Sequence, residues 1–353
     1  MMRCKLSYTA AIVLLLTTVF LGCRREPLPN TGLPIQFSVG LKMEASSQTK
    51  ADTPEQASKP ADYLVKDGSV IRIYGSVTPA GSAKAALFGD DGTELTCSES
   101  SGVFNWSYAP PKYWTRGSQY SFRAVSPDSS DIQSGSDEEI VVNYSMEKVQ
   151  DSKLVRNDYD LLVASASVEN APPADNTVAL TFDHACAAVR FQFSDGSLAS
   201  DTADSNYYIK SFELQNLFTE GIFTYNSTGG TWDKSGSAHI PSIFQWTGKW
   251  GVKKTLRPIS GLDWFFVVPQ ELLGAGDRVH TAVHFTFVRM VDGKEGLETP
   301  VTFNLGTYRG EDVAWERGKM YSYKIELQPS ESSISFTVED WVKSYVAVDD
   351  LIF

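Results

Sequence analysis

The stretch Ile35-Gln36-Phe37-Ser38-Val39 alternates apolar and polar side chains with a period of two. Such a segment turns one face to a core and the other to water, which predicts a half-buried β-strand. The same pattern returns further along. Val70-Ile71-Arg72-Ile73-Tyr74, Phe104-Asn105-Trp106-Ser107-Tyr108 and Tyr120-Ser121-Phe122-Arg123-Ala124 read as strands, as do Ile140 to Tyr144 and Leu161 to Ala164. Asp128 to Glu139 is acidic and serine-rich, and reads as a surface loop. The second half repeats the style at Val178 to Phe182, Ala187 to Phe193, Tyr207 to Leu214, Gly221 to Tyr225, Trp264 to Val268, His280 to Val288, Val301 to Leu305, Met320 to Leu327 and Ile334 to Val338. Short strands between Gly, Pro, Asn and Asp turns predict an all-β chain built of sandwiches. No long amphipathic helix is legible. Ala171-Pro172-Pro173-Ala174-Asp175-Asn176 has two prolines and no large apolar anchor, so it predicts a boundary between sandwiches spanning 34–172 and 173–353.

Toward the N-terminus, residues 23–33 read as a polar, proline-rich tether, and residues 1–22 read as a targeting segment. Arg3 and Lys5 give a positive start, and Ala10 to Leu21 give an apolar stretch too short for a membrane span. The run ends Phe20-Leu21-Gly22-Cys23. A small residue directly before a cysteine there resembles a bacterial lipobox, with Phe20 where leucine is preferred. Cys23 is therefore the expected lipidation site and the anchor to an outer membrane, since stacked acyl chains hold a protein stably in a bilayer. In the other direction, residues 45–62 are polar and nearly free of large apolar groups, which predicts a protease-sensitive loop.

The chain has 353 residues and a formal net charge of −12. An acidic chain of this kind argues against a nucleic-acid partner. The candidate chemistry is sparse. His280 and His284 lie four apart, but no Cys, Asp or Glu sits beside them at ligand spacing, so no metal or other cofactor is expected. His184 and Cys186 are close in sequence, yet thiol enzymes assemble such pairs in space and not along one strand. His184 reads as a structural histidine. Cys97 and Cys186 read as small buried apolar residues, with a disulfide between them the less favoured reading. Asp137-Glu138-Glu139 reads as a solvated loop. No nucleophile elbow or phosphate loop is present, and no catalytic residue is assigned. Trp232, Trp246, Trp250 and Trp264 cluster in the second half, where aromatics serve either as core or as stacking platforms for sugars.

Five segments, in order, resemble the fimbrillin-like family of bacterial pilus proteins. They are Trp114-Thr115-Arg116-Gly117 with Tyr120 to Pro127, Asp158 to Ala164, Leu180 to Phe191, Phe266-Val267-Val268-Pro269-Gln270, and Trp315-Glu316-Arg317-Gly318 with Tyr321 to Ile325. The resemblance implies two tandem transthyretin-like Greek-key sandwiches. It also implies a subunit or anchor lipoprotein of type V fimbriae, lodged at the cell outer membrane, at the cell surface or in the fimbrium, with a role in cell adhesion. In the family a trypsin-like protease removes the leader with the first strand, and a strand of another subunit fills the gap by β-strand addition. By that resemblance Ile35, Phe37 and Val39 belong to the removable strand, and Lys50-Ala51 is the candidate cleavage site, with Lys where the family's protease prefers Arg. Val346, Val348, Leu351 and Phe353 then mark the candidate donor strand. A second reading keeps the fold and makes the protein a surface lipoprotein that binds glycan or a host protein.

Overall fold

The computed structural model describes residues 30–41, 64–129, 131–150, 153–156, 159–274, 279–308, 311–327 and 332–340. Among these the chain is all-β, and no helix is long and apolar enough to cross a membrane. The first half supplies β1 (Asn30–Pro34), β2 (Gln36–Leu41), β3 (Val70–Thr78), β4 (Thr93–Ser100), β5 (Val103–Ser107), β6 (Tyr113–Thr115), β7 (Gln119–Ser126), β8 (Ile132–Gly135), β9 (Ile140–Ser145) and β10 (Leu162–Val168). The second supplies β11 (Thr177–His184), β12 (Ala187–Ser194), β13 (Tyr207–Gln215), β14 (Glu220–Asn226), β15 (Gly229–Asp233), β16 (Ile243–Gly251), β17 (Phe265–Val267), β18 (Ala282–Val291), β19 (Lys294–Asn304), β20 (Lys319–Leu327) and β21 (Ser332–Asp340). Shorter two-stranded ladders join the rest.

Four sheets organise these strands. The largest runs β2-β11-β10-β7-β3-β4-β5. Its inner face carries Ile71, Ile73, Phe122, Ala124, Leu162, Ala164, Leu180 and Phe182 around one core. Its outer face carries Tyr74, Val125 and Val163 into a second core that extends to Leu327. Period-two alternation is what lets one sheet serve two cores. A four-stranded sheet, β15-β14-β9-β8, pairs residues 140–145 with 220–225 and so links the two halves of the sequence. The remaining sheets are β16-β13-β18-β19, and β12-β20-β21 with Arg257–Pro258 and β17 beside β12. Two ladders are parallel, β2 on β11 and β12 on β20. Parallel neighbours need long crossovers, and here nearly the whole of each half lies between the paired strands.

Each strand expected from alternation overlaps a strand of the fold. The differences lie where the pattern is faint. Residues 30–33, expected as tether, belong to β1, which pairs with β6. The acidic loop 128–139 contains β8. β4 was illegible because it buries only Leu95 and Cys97 among Thr, Glu and Ser. Residues 171–176 connect β10 to β11, which pair with each other from Leu162 opposite His184. Asn176 takes a positive φ of 61° there and donates its Nδ2 to the Pro34 carbonyl at 3.1 Å.

Candidate assembly site

β2 lies at the edge of the large sheet, with β11 as its only sheet neighbour among the described residues, and Phe37 stands opposite Val178 and Val39 opposite Leu180. Ile35 and Phe37 are 2% and 6% exposed, while Gln36 and Ser38 face solvent. Alternation thus seats the strand with its apolar side chains sunk in the core. Phe37 occupies an aromatic slot. Its ring centroid lies 5.3 Å from Phe122, 5.7 Å from Tyr108 and 6.5 Å from Phe88, mostly edge to face, a favourable geometry for ring quadrupoles. Gly75 forms part of the floor. A Cβ there would come within 2.9 Å of Phe122 and 3.0 Å of Phe88, so a bare backbone is what leaves room for both rings beside Phe37. The main chain of β2 is held at its start. The Ile35 amide donates to the Lys112 carbonyl at 2.8 Å, and the Tyr108 hydroxyl donates to the Ile35 carbonyl at 3.0 Å. These backbone contacts do not depend on which side chain stands at 35, whereas the aromatic slot does.

The sequence-predicted first strand, Ile35, Phe37 and Val39, therefore lies together in one slot. Phe88, Tyr108 and Gly75, which line it, carried no signal of that role in the sequence, because each is remote from β2 along the chain. Cys23, Lys50, Ala51, Val346, Val348, Leu351 and Phe353 lie outside the described residues. β21 precedes the last of these and pairs antiparallel with β20, with Tyr323 opposite Phe336.

A second constellation sits where β11 ends and β12 begins. His184 is 7% exposed and its Nδ1 pairs with Oδ2 of the fully buried Asp160. Burial raises the Asp160 carboxyl above its ordinary value, and the His184 contact opposes that rise. Desolvation also pushes the buried Cys186 thiol and the Tyr144 phenol well above their usual values, so neither is a nucleophile poised for attack. The Tyr144 hydroxyl lies 3.2 Å from the carbonyl oxygens of Tyr159 and of Phe266. Arg317 Nε donates to the His184 carbonyl at 2.9 Å, and Trp232 Nε1 donates to the Ala185 carbonyl at 2.8 Å. Side chains and backbone from three sheets thus converge on residues 184–186. The arrangement can clamp; it offers no open surface for a substrate. His184 closes β11.

The other singled-out residues are dispersed. His280 Nδ1 lies 2.5 Å from the Gly274 carbonyl, and His284 Nδ1 lies 2.7 Å from Thr302 Oγ1. No group of three or more potential metal ligands occurs among the described residues. Cys97 and Cys186 are buried and free. Asp137 accepts a hydrogen bond from Ser76 at 2.7 Å and pairs with Lys84. The four tryptophans are half-buried against the larger core, and Trp264 is covered by the Arg190 guanidinium at 4.6 Å.

Comparison with known proteins decides the relationship. The profile of the fimbrillin-like family matches residues 49–341, most of the chain. The chain belongs to the fimbrillin-like family. A solved structure of a putative cell adhesion protein from Bacteroides uniformis is similar with a TM-score of 0.50 at 20% identity, covering 89% of this chain and 100% of its own. A fimbrial protein from Bacteroides vulgatus gives a TM-score of 0.51 at 12% identity, covering 87% of this chain and 99% of its own. At such identities the likeness speaks for a fimbrillin-like β-sandwich fold. No curated protein matches the sequence.

Proposed function

We propose that this fimbrillin-like protein is a fimbrial subunit, or an accessory or anchor lipoprotein of a fimbrium, which assembles by β-strand exchange and serves cell adhesion. The observation that carries the reading is β2. It is an edge strand that fills a core slot, and the polar sequence that follows it holds Lys50. Removing such a strand leaves an unpaired ladder edge on β11 and bare apolar surface around Phe122, which a strand from another subunit would cover. The precursor is carried to the outer membrane by lipid on Cys23, and a cut at Lys50-Ala51 frees the body for assembly. The donor comes from the C-terminal region of another subunit, with the tail bearing Val346, Val348, Leu351 and Phe353 as the segment first put forward by the sequence. In this scheme β11 closes the first sandwich, since it pairs with β2 and β10, and the second begins after His184. The glycan-binding alternative draws less support, because Trp232 and Trp264 are engaged within the fold.

The test is N-terminal sequencing of the protein taken from cells, together with limited digestion by a trypsin-like protease. A subunit of the stalk begins at Ala51 and forms laddered oligomers after clipping. An anchor begins at the lipidated Cys23. Clipping that yields only intact monomers, with a wild-type C-terminus present, removes the reading.

A further inference from the structure

The pattern Ile-x-Phe-x-Val occurs twice in this chain. One copy is Ile35-Gln36-Phe37-Ser38-Val39, leading into and forming β2, and the other is Ile334-Ser335-Phe336-Thr337-Val338, within β21. The intervening residues are short or polar in both. The slot explains why this order of side chains matters. Its middle position is walled by Phe88, Tyr108 and Phe122, which select an aromatic ring, and the positions two residues to either side take aliphatic groups. Val346-x-Val348 and Leu351-x-Phe353 in the tail do not present an aromatic flanked by aliphatics at that spacing. β21 is also placed to move. Among the described residues it ends its sheet, with β20 as its single sheet neighbour.

We propose that the β2 slot is selective for the Ile-x-Phe-x-Val pattern and that its occupant in the assembled state is β21 of a second copy of this chain. Phe336 takes the place of Phe37 opposite Val178, and Val338 takes the place of Val39 opposite Leu180. The inference rests on the reading that β2 leaves its seat, and it goes further by naming the donor strand, the side chain that is read and the partner. A ladder of nine residue pairs on β20 is surrendered and one of six pairs on β11 is gained, so it is the apolar seat around the central ring, and not the main-chain hydrogen bonds, that favours the exchange. The contacts now made by the backbone of Ile35 to Lys112 and Tyr108 pass to Ile334, and they tolerate any residue there.

The experiment uses the full chain, clipped by limited trypsin digestion with the cut after Lys50 verified by N-terminal sequencing. Fluorescent peptides of residues 34–41, 332–341 and 342–353 are added, and binding is read by anisotropy. The 34–41 and 332–341 peptides should both bind and compete with each other. Replacing Phe336 by Ala in the latter should weaken it by about tenfold or more, as loss of a buried ring does. The 342–353 peptide should bind more weakly than 332–341. If 34–41 rebinds and 332–341 does not, or if 342–353 binds as tightly, or if the Phe336→Ala peptide is unimpaired, this inference is overturned while the exchange reading stands. If no peptide binds, 34–41 included, the slot does not open and both fall. A Phe88→Ala acceptor chain gives a second arm that leaves β21 untouched, and it should lose affinity for 332–341.

Discussion

Each half of the molecule lays an early strand parallel to a late one, β2 on β11 and β12 on β20, yet the two pairs differ in how they are enclosed. β12 has β20 along one edge and β17 with Arg257–Pro258 along the other, and Val189, Phe191 and Phe193 are buried. Among the described residues β2 has only β11, and it keeps Gln36 and Ser38 in solvent. The side-chain content of the two strands is similar in kind. On the proposed exchange, a strand that stays differs from one that leaves in whether its second edge is covered. An interior strand holds two ladders and an edge strand one, so the cost of leaving differs before any side chain is considered.

The largest expected effect is at the joint between the two pairs. His184→Ala would leave the buried Asp160 carboxyl without that side-chain partner, and removing one member of a buried pair costs about 3–5 kcal/mol. Urea unfolding should show the loss as a lower midpoint at unchanged slope. The pH dependence follows from the direction of the Asp160 shift. Burial raises that carboxyl in the fold above its ordinary 3.8, so its contribution is full below the unfolded value and is lost as pH rises through the folded one. Without His184 the contact that opposes the rise is gone, so the window moves upward and the variant should recover stability relative to wild type as the pH falls. A variant with a flat pH difference would separate the joint from its charge.

The comparison itself is tested at two phenylalanines. Phe191 is stacked on Tyr323 at 4.9 Å in the covered strand, and Phe37 fills the slot in the edge strand. Phe191→Ala should cost about 4 kcal/mol, and Phe37→Ala about 3 kcal/mol or less, because an edge site relaxes more easily. Equal losses in thermal unfolding would mean that β2 is held as firmly as β12. Phe37→Ala should also speed the release of β2 after clipping, which a native gel of clipped protein reads directly.

Much of this was legible in the sequence, and what was not has a common cause. Alternation at Ile35, Phe37 and Val39 identifies a strand with one apolar face, and the structure seats that face in the core. Nothing local indicates that its neighbour is Thr177–His184, or that the pair is parallel, because register is a non-local property. Phe88 and Tyr108 were invisible as slot residues for the same reason. His184 was readable as structural, but Asp160 lies 24 residues away, and only the fold brings the two together. β4 escaped because two buried residues among polar ones give too weak a period.

The smallest effects lie in a device that both halves share. Trp114-Thr115-Arg116-Gly117-Ser118-Gln119-Tyr120 and Trp315-Glu316-Arg317-Gly318-Lys319-Met320-Tyr321 carry the same Trp-x-Arg-Gly-x-x-Tyr frame. In each the tryptophan is buried, the glycine adopts a φ near +70° (68° and 70°), and the tyrosine hydroxyl accepts the amide that follows the tryptophan at 2.8 Å. Tyr120→Phe and Tyr321→Phe should each cost about 1 kcal/mol, the net worth of one hydrogen bond, and unequal losses would break the equivalence. The arginines are where the copies part. Arg116 is exposed, whereas Arg317 donates to the His184 carbonyl and lies over the Phe223 ring at 5.5 Å. Arg116→Ala should therefore fall within about 0.5 kcal/mol of wild type, and Arg317→Ala should cost about 1 kcal/mol. The corner before β7 turns the chain and carries β6, the partner of β1 beside β2, while the corner before β20 also reaches the clamp at His184. If Arg116→Ala proved as costly as Arg317→Ala, the first corner would be bearing on the seat of β2 as firmly as the second bears on the joint, and the contrast between a loose edge and a fixed interior would have to be redrawn around it.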